Sequence, residues 1–248
     1  MTITEANCFY PDSHLYFDPA SVGYEREDLW VDGRLHAWLI HPREGHARAA
    51  TIVNLHGNAE NMTSHILASL FFLDMGHRLL TFDYRGYGRS KGTPTLQGIQ
   101  DDARAVFDFV FSQPERFGET VFGFGQSMGG FTLARILPDV PTIKGAIMDS
   151  ALYSFHDLFH DAYPGATCTV PQVSALETLP LSGVPKLFIH GTADVVVPYA
   201  HSQKMFAAAN QPKDIMILEG VAHIGALASP LMEDYIAKIR AFVETWGT

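Results

Sequence analysis

The feature that most constrains the fold is a regular alternation between short apolar segments and longer segments with helical periodicity. The segment at 49–55 is almost continuously apolar, which is typical of a strand buried on both faces of a parallel sheet. Because such segments alternate with helical ones, we expect a mostly parallel sheet with helices on both faces. The predicted strands lie at 49–55, 78–83, 119–125, 142–148, 185–190 and 214–218, and the predicted helices at 61–75, 96–111, 128–137, 198–209 and 229–246.

The sheet is predicted to begin with an antiparallel hairpin. Two strand-like segments, 24–30 and 35–40, flank Asp32-Gly33, a dipeptide that favours a two-residue hairpin turn. Together with the later strands they predict an α/β fold with a mostly parallel, eight-stranded sheet. Residues 1–20 show no periodicity and are predicted to form an irregular arm that packs on the domain.

One stretch interrupts the alternation. Residues 150–184 begin with a short aromatic segment and continue with several prolines and glycines, so they are predicted to form a small cap above the sheet. At 248 residues, with 47% hydrophobic and 18% charged residues, the chain can bury one substantial core. We therefore expect a single domain over residues 1–248, with its cap at 150–184.

Composition disfavours several kinds of partner. A formal net charge of −10 without a basic patch disfavours nucleic acid and anionic membrane surfaces. Neither a signal peptide nor an apolar run long enough to cross a membrane is evident, so we expect a cytoplasmic protein without an integral membrane segment. Cys8 and Cys168 are expected to be free thiols. The sequence leaves the oligomeric state open.

Residues 125–129, Gly-Gln-Ser-Met-Gly, lie between a predicted strand and a predicted helix. In this context the sequence is typical of a nucleophile elbow, where the glycines allow close packing and the serine hydroxyl is exposed at a strained turn. An isolated match of this kind is more often an ordinary glycine-rich loop. Ser127 is therefore a candidate nucleophile provided that the chain also supplies a base and an acid.

Two later residues supply these partners. A serine nucleophile needs a base within hydrogen-bonding reach and a carboxylate that orients the base. His223 follows the last predicted strand, and Asp194 follows the strand at 185–190. Because the carboxyl ends of parallel strands meet at one edge of a sheet, Ser127, Asp194 and His223 are expected to lie together.

The acid has a rival in Asp149. This residue follows the strand at 142–148 and could approach a histidine at the same edge of the sheet. Asp194 is favoured because its Gly-Thr-Ala-Asp turn is suited to present a side chain. Asp83 and Asp74 are more simply explained as loop or helix-end residues.

An acyl-transfer site also needs hydrogen-bond donors for the developing oxyanion. Met128, at the start of the predicted helix, offers a backbone N–H without an intrahelical partner. The second donor is expected from the loop at 56–59, His-Gly-Asn-Ala, where Asn58 is the first choice and Ala59 the alternative. His56 is expected to hydrogen-bond the loop and not to act as the base.

Four motifs carry a resemblance to a known family: His-Gly-Asn-Ala at 56–59, Phe-Asp-Tyr-Arg-Gly-Tyr-Gly-Arg-Ser at 82–90, Gly-Gln-Ser-Met-Gly-Gly at 125–130 and His-Gly-Thr-Ala-Asp-Val-Val-Val-Pro at 190–198. Over about residues 24–247 the chain resembles the α/β-hydrolase superfamily, in particular its compact esterase, lipase and thioesterase-like members with a short cap. The order of serine, acid and histidine is also that of these enzymes. The resemblance implies the α/β-hydrolase fold, no cofactor or metal, and the roles of nucleophile for Ser127, acid for Asp194, base for His223 and oxyanion donors for Asn58 and Met128.

Two features depart from the pattern of these relatives. Many of them place a glycine directly before the late histidine, whereas here Ala222 occupies that position and Gly220 lies two residues earlier. Several close relatives begin with a membrane anchor, and no such segment is evident here. This departure counts against membrane lipids, the substrates of those relatives, as the expected substrates.

The expected activity is that of a serine hydrolase that cleaves carboxylic esters of small to medium acyl substrates through an acyl-enzyme. The same residues could serve a thioesterase, a peptidase or a perhydrolase, and some relatives keep the fold as noncatalytic ligand-binding proteins. A dehalogenase is disfavoured because that chemistry normally uses a carboxylate in place of Ser127.

The predicted cap carries two further features. His156 and His160, four residues apart, could in principle bind a metal, but a solvated helix face is the simpler interpretation. Aromatic residues of the same segment either line an acyl pocket or pack the cap onto the domain; they include Tyr153, Phe155, Phe159 and Tyr163.

Overall fold

The computed structural model describes residues 1–43 and 50–247. In these ranges the chain forms the helices α1 (Met62–His65), α2 (Phe71–Asp74), α3 (Leu96–Phe111), α4 (Pro114–Phe117), α5 (Met128–Ile136), α6 (Phe155–Ala162), α7 (Ala200–Ala208) and α8 (Met232–Trp246). The strands are β1 (Thr2–Ile3), β2 (Tyr10–Pro11), β3 (Arg26–Val31), β4 (Leu35–Ile40), β5 (Thr51–Leu55), β6 (Ala59–Glu60), β7 (Arg78–Phe82), β8 (Val121–Gln126), β9 (Gly145–Asp149), β10 (Thr167–Cys168), β11 (Lys186–Gly191) and β12 (Lys213–Leu218). None of the helices in the described ranges has the length and apolar character needed to cross a bilayer.

One eight-stranded sheet organises the molecule, in the order β12-β11-β9-β8-β5-β7-β4-β3. β4 is antiparallel to both of its neighbours, and every other adjacent pair is parallel. The prediction of a mostly parallel sheet with an antiparallel start is confirmed. The chain runs from β5 to β7 on one side and returns with β8 on the other, so the switch point of the topology lies between β5 and β8. Ligands bind at such points in open α/β sheets.

Helices cover both faces of this sheet. One apolar cluster joins it to α3 and α5, through residues that include Phe107 and Phe131. A second cluster joins it to α2 and α8, through residues that include Phe72 and Ile239. The central strands β5, β8 and β9 are consequently buried along their whole length.

Helix α3 has the predicted bounds because its signals are local. Thr95 caps it, with its hydroxyl oxygen accepting the backbone N–H of Gly98 at 2.9 Å. Ile99, Ala103 and Val106 are all buried and follow the spacing of one helix face. Cap and apolar face therefore select the same segment.

The prediction of one continuous helix over 61–75 is wrong. A short 3-10 segment, Ile66–Ala68, separates α1 from α2. The break falls at Ser69, whose hydroxyl and backbone N–H both donate to the carbonyl of Ile66 at 2.9 Å. A serine that competes for a backbone carbonyl in this way favours a turn over a continued α-helix.

The loop of the β3–β4 hairpin is one residue longer than predicted. Three residues, Asp32 to Arg34, separate the last residue pair of the two strands. Asp32 and Gly33 both have positive φ, at 51° and 64°, as their sequence suggests. The extra residue, Arg34, binds the buried carboxylate of Asp102 at 2.7 Å and thereby ties the hairpin to α3.

The N-terminal arm is more regular than predicted. β1 pairs in parallel with β10, inside the 150–184 segment, and β2 pairs in parallel with β6, directly after the 56–59 loop. Tyr10 donates its backbone N–H to the carbonyl oxygen of Asn58 at 2.9 Å. The arm therefore connects the predicted cap with the loop that follows β5.

Candidate active site

Ser127 occupies the sharp turn between β8 and α5. Its φ of 53° and ψ of −116° are unusual for a residue with a side chain, as expected for a strained elbow. Two backbone hydrogen bonds hold the turn. The N–H of Ser127 donates to the backbone carbonyl of Asp149 at 2.9 Å, and the N–H of Phe131 donates to the backbone carbonyl of Ser127 at 3.1 Å. The local sequence thus forms the predicted strand, turn and helix around this serine.

The glycines of the elbow allow backbone atoms to approach one another. A Cβ atom at Gly129 would lie 1.9 Å from the carbonyl oxygen of Leu55, and one at Gly125 would lie 2.4 Å from the carbonyl oxygen of Gly129. A Cβ atom at Gly130 would lie 2.6 Å from that of Ala151. The elbow is therefore packed directly against the end of β5, next to the 56–59 loop.

Asp194 and His223 are in direct contact. Nδ1 of His223 donates to Oδ2 of Asp194 at 2.7 Å, while Oδ1 accepts the backbone N–H groups of Val196 and Val197 at 2.9 and 2.8 Å. Burial acts to raise the pKa of Asp194, but the hydrogen bonds from His190, His223 and Val197 outweigh it and hold the pKa well below its usual value of 3.8. The carboxylate is therefore ionised at neutral pH and fixes Nδ1 of His223 as the protonated nitrogen.

The loop that carries His223 is fastened to both neighbouring loops. Val221 accepts the backbone N–H of Ala193 at 3.0 Å, and Ile224 donates its N–H to the hydroxyl of Ser150 at 3.2 Å. Asp149, the residue before Ser150, is the last residue of β9 and accepts the backbone N–H of Ser127. The serine and the loop that carries His223 are therefore both attached to the end of β9.

The structure joins two of the three predicted triad residues by a hydrogen bond. Over residues 1–43 and 50–247 it forms the Asp194–His223 contact and no hydrogen bond between Ser127 and His223. Contacts between a nucleophile and its base are often long in proteins without bound substrate. Ser127 is 8% exposed and the His223 side chain 17% exposed, so both remain accessible to a small molecule.

The other carboxylates considered as the acid lie in different contacts. Asp149 is 2% exposed and accepts hydrogen bonds from Gln126 at 2.9 Å and Tyr235 at 3.0 Å, and burial raises its pKa. Asp83 accepts the backbone N–H of Met62 at 2.7 Å, and Asp74 accepts the hydroxyl of Tyr24 at 2.7 Å. The hydrogen bond to His223 is made by Asp194.

The 56–59 loop is held in one orientation by its neighbours. Nδ1 of His56 donates to the carbonyl oxygen of Gly57 at 2.7 Å. Because the peptide bond is planar and trans, the N–H of Asn58 must then point away from His56. The carbonyl oxygen of Asn58 accepts both the N–H of Tyr10 and the hydroxyl of Tyr87, each at 2.9 Å. Asn58 therefore has a fixed backbone on both sides, as an oxyanion donor requires.

His56 has the structural role that the sequence indicates. Burial lowers its pKa to about 4, so the ring is neutral at neutral pH. Its Nε2 lies 3.7 Å from a carboxylate oxygen of Asp83. The ring faces the loop and Asp83, and we assign it to loop orientation.

Met128 and Ala59 complete the set of candidate donors. Met128 is the first residue of α5, where a backbone N–H has no intrahelical acceptor. Ala59 belongs to β6, and its carbonyl oxygen accepts Nε2 of His65 at 3.1 Å.

His65 is a residue of this loop region that the sequence does not single out. A Cβ atom at Gly57 would lie 2.8 Å from its ring, and the ring also lies 5.7 Å from that of His56, measured between centroids. His65 therefore packs directly beneath the 56–59 loop. No local sequence pattern indicates that His65 packs against the 56–59 loop. The contact depends on how the chain turns between β5 and α1.

The 150–184 segment contributes α6 above α5. The ring of Phe155 lies 5.5 Å from that of Phe131, which is one turn along α5 from Ser127, and 6.2 Å from that of Phe159. His156 and His160 stack at 6.3 Å. Within the described residues no group of three or more histidine, cysteine, aspartate or glutamate side chains is placed to hold a metal ion. Cys8 and Cys168 are free thiols.

Comparison with known protein families gives a match over residues 46–177 to the model of the serine aminopeptidase S33 family. The chain is 32% identical over 227 residues to the uncharacterized protein YfhR of Escherichia coli K12, covering 89% of this chain and 80% of YfhR. It is 25% identical over 200 residues to the protein bem46 of Schizosaccharomyces pombe, covering 77% of this chain and 67% of bem46.

Solved structures share the fold at lower identity. The esterase Pf2001 of Pyrococcus furiosus superposes with a TM-score of 0.80 at 19% identity, covering 96% of this chain and 100% of the esterase. Est1E of Butyrivibrio proteoclasticus, with bound ferulic acid, superposes with a TM-score of 0.73 at 18% identity, covering 89% of this chain and 98% of Est1E. At these identities the likeness concerns the arrangement of strands and helices.

Proposed function

Because the chain belongs to the serine aminopeptidase S33 family of α/β-hydrolases, we propose that it is a serine hydrolase that cleaves carboxylic esters of small to medium acyl substrates. Ser127 is the proposed nucleophile, His223 the base and Asp194 the acid. The observation that carries the proposal is the 2.7 Å hydrogen bond between Asp194 and His223, in a loop attached to the same strand end as the strained Ser127 turn.

The reaction proceeds in two steps. The hydroxyl oxygen of Ser127 attacks the acyl carbonyl while Nε2 of His223 takes the hydroxyl proton. Asp194 stabilises the resulting imidazolium, which then gives the proton to the departing alcohol. Water, deprotonated by the same nitrogen, attacks the acyl-enzyme and releases the acid and free Ser127.

Two backbone N–H groups, of Asn58 and Met128, are the proposed donors to the oxyanion. The orientation of the Gly57–Asn58 peptide and the position of Met128 at the start of α5 support this assignment. A single donor of this kind is typically worth about 10²–10³ in kcat.

The short 150–184 segment supports small to medium acyl groups. Phe155 of α6 is buried against Phe131, one turn from Ser127, and the partly exposed Phe159 packs next to Phe155 and offers apolar surface to an acyl chain. The name of the similar structure Pf2001, an esterase, favours ester substrates, and Est1E holds ferulic acid, a carboxylic acid of the kind that ester cleavage releases.

A fluorophosphonate probe tests the nucleophile. Wild-type protein should become labelled at Ser127, and Ser127→Ala should lose labelling and about 10⁴-fold or more of its ester turnover. Ser13→Ala, which changes an exposed serine, serves as the matched control and should behave as wild type. Labelling that persists in Ser127→Ala would refute the proposal.

A substrate panel separates the reaction classes. Short-chain p-nitrophenyl esters should be turned over faster than acyl-CoA thioesters or aminoacyl amides, the last included because of the aminopeptidase in the family description. Preferred turnover of the amides would assign a peptidase. Stoichiometric ligand binding without labelling or a product burst would instead assign a noncatalytic binding protein.

A further inference from the structure

A second histidine contacts the carboxylate oxygen that His223 uses. Nε2 of His190 lies 3.0 Å from Oδ2 of Asp194 and 2.7 Å from the carbonyl oxygen of Val197. With the two backbone N–H groups on Oδ1, the carboxylate thus has four hydrogen bonds. Of the two side chains in this set, His223 takes part in the proton transfers described above and His190 does not.

The partners of His190 determine which of its nitrogens carries a proton. Nε2 faces a carboxylate and a carbonyl, both of which are acceptors, so Nε2 must be a donor. Nδ1 lies 2.6 Å from the hydroxyl of Ser202, which in the neutral ring donates to Nδ1. The side chains of His190 and Asp194 are both 0% exposed, and Ser202 is 0% exposed, so water does not compete for these contacts.

The chain places these residues on both sides of the loop that carries Asp194. His190 is near the end of β11, and Ser202 is in the first turn of α7. The backbone N–H of Val197 binds Oδ1 of Asp194, and its carbonyl binds His190. The carboxylate of Asp194 and the imidazole of His190 therefore both bind the backbone of Val197 and hold the loop in one conformation.

We propose that His190, oriented by Ser202, is a positioning residue that fixes Oδ2 of Asp194 in the direction of His223. The inference rests on the proposed function, because it assigns His190 to the same reaction. Without the Nε2–H of His190, Oδ2 has His223 as its remaining side-chain donor, while Oδ1 keeps its two backbone donors. The carboxylate can then pivot about Oδ1, so that Oδ2 shifts and the ring of His223 shifts with it. The base is then less often directed at Ser127.

The first test compares His190→Leu with His190→Gln. Gln places an N–H donor near the position of Nε2, and Leu fills similar volume without a donor. His190→Leu should lower kcat about tenfold to hundredfold at unchanged KM, since hydrogen bonds to charged groups are typically worth that factor. His190→Gln should recover most of the lost kcat. Equal losses in the two variants would overturn the proposal.

The second test asks whether His190 acts through Asp194. In an Asp194→Ala background, His190→Leu should cause no further loss in the rate of fluorophosphonate labelling, because residues that act as a unit are not additive. If His190 served folding alone, the two substitutions would act independently, and the fold-loss in the double variant would be the product of the two single fold-losses, here called multiplied losses. Multiplied losses with labelling still at Ser127 would overturn this inference and leave the proposed function intact, whereas labelling at another residue would overturn the function itself.

Ser202→Ala keeps the inference testable if His190→Leu does not fold. The change removes one hydroxyl that donates to Nδ1, so the ring can adopt the tautomer with a proton on Nδ1 and without one on Nε2. We expect kcat to fall about threefold to tenfold at unchanged KM, in line with the loss of a neutral hydrogen bond. A folded Ser202→Ala variant with wild-type kcat would contradict the proposal.

Discussion

At the scale of single residues, the elbow is limited by contacts between backbone atoms. The Cα of Gly129 faces the carbonyl oxygen of Leu55 so closely that a Cβ atom would lie 1.9 Å from it. Ser127 itself is kept at positive φ by the bonds of its backbone to Asp149 and Phe131. The position of the candidate nucleophile therefore depends on the end of β5 as much as on its own turn.

Gly129→Ala should separate the elbow from β5. We expect a loss of about 1–3 kcal/mol in the free energy of unfolding, typical of overpacked sites, and a large loss of ester turnover because the Met128 and Asn58 amides move apart. Urea unfolding and steady-state kinetics measure the two effects. Gly183→Ala is the matched control, since a Cβ atom there meets no atom within 4 Å. Identical behaviour of the two variants would contradict the packing argument.

The sequence indicates some residues of the candidate site and not others. Ser127, Asp194 and His223 each follow a strand, so strand order alone predicts that they share an edge of the sheet. His190 has a weaker signal, its place in the His-Gly-Thr-Ala-Asp motif, because its partner Ser202 is known only once α7 packs beside β11. Hydrogen bonds between elements cannot be predicted from local patterns.

At the scale of elements, β2 and β6 form a small parallel pair that holds the 56–59 loop. Tyr10 donates its backbone N–H to Asn58, and Asp12 donates its N–H to Glu60 at 3.1 Å. A second strand pair, β1 with β10, connects the same N-terminal arm to the 150–184 segment. The arm thus has a direct mechanical connection to the proposed oxyanion donor.

Tyr10→Pro should weaken this connection, because proline has no backbone N–H to donate to Asn58. We expect kcat for a p-nitrophenyl ester to fall about threefold to tenfold, the effect of one neutral hydrogen bond. Tyr10→Ala retains the N–H and removes a side chain that is 58% exposed, so it should keep wild-type kcat. A similar fall in both variants would show that the side chain, and not the hydrogen bond, matters.

Elements differ in how well the sequence predicts them. α3 is predicted correctly because its cap and its apolar face lie within the same segment. The prediction of one helix over 61–75 is wrong. The apolar spacing continues past Ser69 and so indicates a continuous helix, but the Ser69 hydroxyl binds the carbonyl of Ile66 and interrupts the regular helix geometry. β1, β2, β6 and β10 contain two residues each, too few for any periodicity, and their pairing joins distant parts of the chain.

At the scale of the whole molecule, two buried histidines affect stability. Burial lowers the pKa of His56 and that of His201 to about 4, below the usual value of 6.5. Each neutral ring therefore contributes stability that is present above about pH 6.5 and lost as the pH falls toward 4. The lowered pKa of Asp194 acts at more acidic pH, below 3.8.

The free energy of unfolding should accordingly decrease between pH 6.5 and 4, by at most about 1.4 kcal/mol per pH unit for each histidine. His201→Asn, which keeps an acceptor for the N–H of Tyr153, should make this decrease less steep. His160→Asn changes a side chain that is 70% exposed and should leave the slope unchanged. Urea titrations at several pH values measure the slopes, and equal slopes for wild type and His201→Asn would exclude this origin.

The position of β12 at the edge of the sheet has a consequence for how activity is lost. β8, which precedes Ser127, lies between two strands and is buried throughout, whereas β12, which precedes His223, is partly exposed along most of its length. Regions with fewer buried contacts open at lower free energy than the core. Mild denaturant should therefore release the proposed proton acceptor while the nucleophile keeps its native surroundings. The loss of turnover then reports local opening at the β12 edge of the sheet. Amide exchange in β12 should correlate with this loss more closely than amide exchange in β8 does.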